Sequence, residues 1–134
     1  MVPILSSDFF GTTRWRLPTG EYHREDGPAI EYADGSKAWY QNGRRHRADG
    51  PAIEWANGGK EWYWNGQCHR ETGPAIERAD GIKEWWLHDI KISPEEFKRL
   101  MDEKITAEIL AGITQPLPIH QKHLTLRRPS KSQS

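Results

Sequence analysis

The chain has 134 residues, with 19 basic and 19 acidic side chains, one cysteine, seven tryptophans and a hydrophobic fraction of 35%. Zero net charge leaves no long-range field toward nucleic acid or an anionic membrane, and one cysteine excludes an intramolecular disulfide and a cysteine-based zinc cluster. So little apolar material with so much tryptophan predicts a single domain whose thin core is built from a few large rings.

The first segment, residues 1–14, reads as a strand or as a cap on the first repeat, through Ile4-Leu5 and Phe9-Phe10, with Gly11 at a turn. Met1-Val2-Pro3-Ile4-Leu5-Ser6 lacks the basic start and apolar run of a secretory leader, and no stretch has the length of a membrane span. A soluble, cytoplasmic protein without a membrane partner is expected.

Residues 15–92 carry a repeat. His23, His46 and His69 are 23 residues apart, as are Gly27, Gly50 and Gly73, and Trp39, Trp62 and Trp85. Eleven of the 23 positions are identical in all three copies, so each copy is expected to be one supersecondary unit that packs on its neighbours. Within each copy, Ala-Ile-Glu and Lys-x-Trp flank Asp34-Gly35, Asn57-Gly58 or Asp80-Gly81, which read as two-residue hairpin turns. Asn42-Gly43 and Asn65-Gly66 make a second hairpin into a short strand ending at His46 or His69. Gly27-Pro28, Gly50-Pro51 and Gly73-Pro74 then break the strand, because proline cannot donate to a ladder.

Turn length fixes register, and register decides which side chains share a face. The two-residue turns place Ile30 opposite Trp39 and Tyr32 opposite Lys37, and Asn42-Gly43 places Trp39 opposite His46. One face is therefore expected to carry the rows Ile30-Trp39-His46, Ile53-Trp62-His69 and Ile76-Trp85-Ile92. The other is expected to carry Ala29 opposite Tyr40, Ala52 opposite Tyr63 and Ala75 opposite Trp86. Upstream, a three-residue loop at Pro18-Thr19-Gly20 keeps Trp15 opposite His23.

Residues 93–112 read as a helix. Ser93 is the N-cap, Pro94 the first helical residue and Glu96 the partner in a capping box. Phe97, Leu100, Met101, Ile105 and Ile109 form one stripe, and Gly112 ends it. The fold expected is mainly β, an elongated single-layer antiparallel sheet of hairpin repeats capped by this C-terminal helix. Residues 113–134 contain no acidic side chain and read as a flexible basic tail.

A unit of the form D-G-x-K-x-W-x-x-N-G-x-x-H, with Asp34-Gly35, Trp39, Asn42-Gly43 and His46 on its signature positions, resembles the MORN repeat. The H-R-x-x-G-P-A variant seen here, followed by a helix after Ser93-Pro94-Glu95-Glu96-Phe97, resembles small bacteriophage and large-virus proteins. That resemblance implies an elongated β-hairpin sheet that binds proteins, or sometimes lipid, and implies no catalysis.

A column of histidines invites a metal or catalytic reading, but a catalytic residue is needed once, whereas these recur in every copy. Equivalent residues in stacked hairpins also stand roughly 10 Å apart, too far to converge on one ion. His23, His46 and His69 are therefore read as structural, as are Trp15, Trp39, Trp62, Trp85, Ile30, Ile53, Ile76, Gly27, Gly50 and Gly73, and neither metal nor cofactor is expected. Arg24, Arg47 and Arg70 each have a glutamate at constant offset and are read as ties within the repeat.

Tyr40, Tyr63 and Trp86, with Arg44 and Arg45 at their rim, are the candidate partner-binding residues. The function expected is a non-enzymatic protein-interaction module. On the viral resemblance, its partner would be a host protein, for instance a defence factor that it blocks. The alternative is a binder of a small ligand or nucleotide, or of single-stranded nucleic acid, using the arginine and aromatic rows. Open repeat ends are also compatible with a homodimer.

Overall fold

The computed structural model describes residues 2–111; Gly112 and the basic stretch 113–134 lie outside the described residues. The chain divides into two units, Met1–Lys98 and Arg99–Ser134.

The first unit is built from hairpins. Strands β1 (Ile4–Ser7) and β2 (Thr13–Arg16) open it. The first full repeat supplies β3 (Ile30–Glu31), β4 (Lys37–Ala38), β5 (Tyr40–Gln41) and β6 (Arg44–Arg45). The second supplies β7 (Ile53–Glu54), β8 (Lys60–Glu61), β9 (Tyr63–Trp64) and β10 (Gln67–Cys68). The third supplies β11 (Ile76–Glu77), β12 (Lys83–Leu87) and β13 (Ile90–Ile92). Nine of these form one antiparallel sheet in the order β1-β2-β3-β4-β7-β8-β11-β12-β13, while β5-β6 and β9-β10 are two-stranded ribbons.

The second hairpin of each repeat has the expected register. Asn42 and Gly43 are both left-handed, at φ 50° and 81°, as a two-residue primed turn requires. Tyr40 lies opposite Arg45, and the His46 N–H donates to the Trp39 carbonyl at 3.0 Å. The third copy keeps this turn without glycine. His88 and Asp89 stand at φ 48° and 68°, held by Asp89 N–H on the Cys68 carbonyl (2.9 Å) and by Cys68 N–H on Asp89 Oδ1 (2.8 Å). Trp85 then pairs with Ile92, and upstream the Pro18-Thr19-Gly20 loop brings His23 N–H to the Trp15 carbonyl at 3.0 Å.

The first hairpin of each repeat corrects the sequence reading by one residue. Ile30 lies opposite Ala38, not Trp39, and Lys37 lies opposite Glu31, not Tyr32. Ile53 pairs with Glu61 and Ile76 with Glu84, so Trp62 and Trp85 are not their partners either. The loop has three residues, Ala33-Asp34-Gly35, closed by Tyr32 N–H on the Ser36 carbonyl at 2.8 Å. Gly35 is left-handed at φ 96°, and Asp34 is not, which rules out the primed turn. Asp34 accepts the Ser36 N–H at 2.8 Å, a bond that holds its own carboxyl below the usual carboxylate range. A residue of the previous repeat caps the loop: Thr12 Oγ1 accepts Ala33 N–H at 3.1 Å, and Ser36 Oγ accepts Ala56 N–H at 2.9 Å.

One residue of slip moves the isoleucines to the other face. Ile30, Ile53 and Ala38 are buried and pack with Tyr22, Tyr40 and Tyr63 on what we call the tyrosine face. The opposite, tryptophan face carries Trp15, Trp39 and Trp62 with Ala29, Ala52 and Ala75, the last three fully buried.

Helix α1 (Pro94–Ala111) begins as expected, with Ser93 Oγ accepting Glu96 N–H at 3.0 Å and acidic residues in its first turn. None of its residues is buried, and Ile105, Ile109 and Leu110 are more than half exposed. Among the described residues no helix is long and apolar enough to cross a membrane.

Candidate interaction face

The tryptophan face is closed by a clamp repeated three times. Each repeat arginine lies over the tryptophan of the preceding hairpin: Arg24 over Trp15 at 4.7 Å, Arg47 over Trp39 at 3.9 Å and Arg70 over Trp62 at 3.8 Å from the ring centroid. The same guanidinium donates to the carbonyl of Pro28, Pro51 or Pro74 at 3.2, 3.1 and 3.0 Å. It also reaches Glu31, Glu54 or Glu77 at 3.5, 3.0 and 3.3 Å. Arg24 and Arg47 hold Asp26 and Asp49 as well; the third copy has Thr72 at that position. Glycine leaves room beneath the clamp, because a Cβ on Gly27 or Gly50 would stand 3.0 Å from the guanidinium carbon and push it outward. This accounts for the H-R-x-x-G-P motif: stacking cation, gap for it, and the carbonyl it binds.

The histidines staple successive hairpins. Nδ1 of His23, His46 and His69 accepts the N–H of Asn42, Asn65 and His88, each at 3.0 Å and each 19 residues downstream. An accepting Nδ1 places the proton of the neutral ring on Nε2, which lies 3.3 Å from Glu25 in the first copy and from Glu71 in the third. The ring of His46 lies against Trp64 at 4.3 Å and that of His69 against His88 at 4.1 Å. Among the described residues no three histidine, cysteine, aspartate or glutamate side chains are grouped to hold a metal ion. Two open grooves lie between successive loops, lined in one case by Arg47, Trp62, Trp64, His69, Arg70 and His88, in the other by Arg24, Trp39, His46 and Arg47. Their arginines are the clamp arginines, already committed to carboxylates and carbonyls.

The tyrosine face differs. Tyr40, Tyr63 and Trp86 stand in a row at equivalent positions, joined by Tyr22, whose ring is 5.2 Å from Tyr40. Arg16 lies over Tyr22 at 4.9 Å and Arg45 over Tyr63 at 5.1 Å. Arg44 alternates with Arg45 along β6 and so faces the other side of its ribbon. A second aromatic row, missed in the sequence, stands at the other rim of the face: Tyr32 is 40% and Trp55 44% exposed. Carboxylates in the floor fix the rings. Glu61 accepts the Tyr63 hydroxyl at 2.9 Å and Trp55 Nε1 at 2.8 Å, and Glu84 accepts Trp86 Nε1 at 3.0 Å. Burial, then the Glu61 bond, pushes the Tyr63 phenol far above its ordinary range, so it remains a donor. Arg78, then Trp86, holds the Glu84 carboxyl below its usual value, so it remains an acceptor.

Comparing the three copies separates the two faces. Around the first hairpin, the tryptophan-face positions (Ala29, Glu31, Lys37, Trp39 and their counterparts) are identical in every copy, whereas the next position on that face varies as Gln41, Trp64 and Leu87. On the tyrosine face only the isoleucine is. Tyr32 becomes Trp55 and Arg78, Ser36 becomes Gly59 and Ile82, Ala38 becomes Glu61 and Glu84, and Tyr40 becomes Tyr63 and Trp86. Tyr32 and Trp55 could have been found from this pattern, since they are aromatics at one repeat position beside a turn.

No protein-family model, curated protein or solved structure matches the chain. The likeness to the MORN repeat thus stands on the residues that carry it.

Proposed function

We propose that this protein is a non-enzymatic protein-interaction module that binds its partner on the tyrosine face. One observation carries the reading: around the first hairpin of each copy the repeats hold the tryptophan face constant and vary the tyrosine face. A surface needed only to hold hairpins together would repeat on both sides, whereas a surface that matches a non-repeating partner must differ from copy to copy. Glu61 and Glu84 hold Tyr63, Trp55 and Trp86 in place before any partner arrives, which reduces the ordering entropy lost on binding. Tyrosine, tryptophan and arginine are also the side chains on which binding energy concentrates.

The nucleotide or nucleic-acid alternative draws less support, because Arg24, Arg47 and Arg70 use their charge inside the repeat. The histidines serve turn amides, which favours a non-catalytic role. In keeping with the viral resemblance, the partner we propose is a host protein, bound and blocked by this face.

Capture from host cells with the intact chain and with Trp55→Ala and Tyr32→Ala tests this. A protein recovered by the intact chain and lost with the two variants, at unchanged circular dichroism, is the expected outcome. Equal recovery by all three, or no partner at all, would falsify it.

A further inference from the structure

The strongest unassigned surface is the N-terminal edge of the sheet. β1 is the edge strand, and all four of its residues are exposed. Beside it Val2, Ile4, Leu5, Phe9 and Phe10 are 80, 59, 50, 94 and 79% exposed. Phe9 and Phe10 occupy the tip of the β1–β2 hairpin, where glycine, proline or small polar residues usually stand. The turn itself holds them there: the Asp8 carboxylate accepts Phe10 N–H at 2.9 Å and Thr12 N–H at 3.1 Å and pairs with Arg14 at 3.0 Å. The two rings pack edge to face on each other at 5.4 Å and are otherwise turned to solvent.

The edge also lacks the features that keep edge strands apart. It carries no charged residue and no interior proline, whereas the opposite edge, β13, carries Lys91. Its hydrogen-bonding groups are in phase. Asp8 N–H bonds the Thr12 carbonyl and Trp15 N–H turns away to the Ala29 carbonyl, so Ile4, Ser6 and Asp8 bond toward β2. The backbone groups of Leu5 and Ser7 therefore point outward, and Pro3, the next residue of that phase, ends the row.

We propose that this edge binds a second copy of the chain, β1 against β1, antiparallel about a two-fold axis at Ser6. Leu5 then faces the partner's Ser7 and Ser7 the partner's Leu5, each pair exchanging two backbone hydrogen bonds. Each Phe9-Phe10 tip covers the Val2-Pro3 end of the other copy. The pairing is self-complementary, as a two-fold interface must be. The five apolar side chains expose roughly 700 Å² per protomer, so about 1,400 Å² is the upper bound on what a pair removes, within the size range of specific interfaces. The two sheets become one of eighteen strands, with a tyrosine face on each half.

Sedimentation equilibrium of the full chain at micromolar concentration tests the proposal. A dimer is expected, with Phe9→Ser/Phe10→Ser and, separately, Ser7→Lys each raising its dissociation constant at least about tenfold. Both changes lie at exposed positions, and an unchanged circular dichroism spectrum verifies the fold. Hydrogen exchange supplies a second readout: the amides of Leu5 and Ser7 gain protection as concentration rises, while that of Ser6 is protected throughout. A monomer up to about 100 µM overturns the proposal. So does a dimer that survives both variants, or one lost with Trp55→Ala, which would place the contact on the tyrosine face.

Discussion

Replacing Arg47 by alanine removes one whole clamp, and its cost can be worked from the contacts. The ring stack on Trp39, at 3.9 Å and partly shielded, is worth about 1 kcal/mol. The charged donor on the Pro51 carbonyl, at 3.1 Å, adds about 1–1.5 kcal/mol. The pair with Glu54, whose side chain is 36% exposed, adds about half a kcal/mol after solvent screening, and the pair with Asp49, at 87%, adds almost nothing. The sum is about 2.5–3 kcal/mol, a fall in melting temperature of roughly 10–24 °C for a unit of this size. Urea titration followed by tryptophan fluorescence reads it directly, because the ring losing its cation is a reporter. Arg47→Lys keeps the charge but loses the ring stack and the forked geometry, so it recovers less than half of the loss. Arg70→Ala should cost nearly as much as Arg47→Ala, although Thr72 gives Arg70 no counterpart of Asp49. A loss below about half a kcal/mol for Arg47→Ala, or full stability in Arg47→Lys, would refute the clamp as the element that joins the repeats.

Three further outcomes rest on the same geometry. Gly50→Ala sets a Cβ 3.0 Å from the Arg47 guanidinium carbon, so it should cost about 1–2 kcal/mol alone and little when Arg47 is already alanine; additive losses would show that the two do not meet. His46→Ala strips the acceptor from Asn65 N–H and the neighbour from Trp64, and a loss of about 1 kcal/mol is expected, read as a lower urea midpoint. Burial, with Glu61, Asp89 and Glu84 nearby, pushes the Cys68 thiol from its ordinary 9.0 up to about 12. The unfolded chain therefore ionises first, so the thiol's contribution to stability is complete below pH 9.0 and is lost as pH rises toward 12. Urea midpoints should fall more steeply in the wild type than in Cys68→Ala over that range, and the folded thiol should resist a disulfide reagent at neutral pH.

The part of the fold that is legible in the sequence is set by local chemistry. Asn42-Gly43 can take one hairpin turn well, because both residues tolerate left-handed backbone, and the pairings tied to it are those observed: Trp39 across from His46, and Tyr40 on the face away from the tryptophans. The Pro18-Thr19-Gly20 loop and the Ser93 cap are legible for the same reason. Asp34-Gly35 is not, because a two-residue primed turn and a three-residue loop ending in left-handed glycine fit the same letters. In the first two copies the longer loop is also supported by residues distant in sequence, although the third copy forms it with Gly59 at the capping position. Ala33 N–H needs the Thr12 hydroxyl and Ala56 N–H the Ser36 hydroxyl, 21 and 20 residues away. A single-copy reading cannot contain that contact.

The consequence reaches the site. With Ile30 assigned to the face of Trp39, Tyr32 and Trp55 go with it toward the core, whereas the slip places them on the exposed rim of the tyrosine face. The same error hides the division between the two faces. In the wrong register, each face mixes constant and varying positions and the repeat looks uniform. In the observed register the eleven identical positions become clamp, staple, turn and floor, and the varying positions of the first hairpin fall together beside Tyr40, Tyr63 and Trp86. Register therefore decides more than packing in this chain: it separates the residues that make the repeats stack from those left free to differ. A partner that touches the varying set can select this sheet from another built on the same clamp.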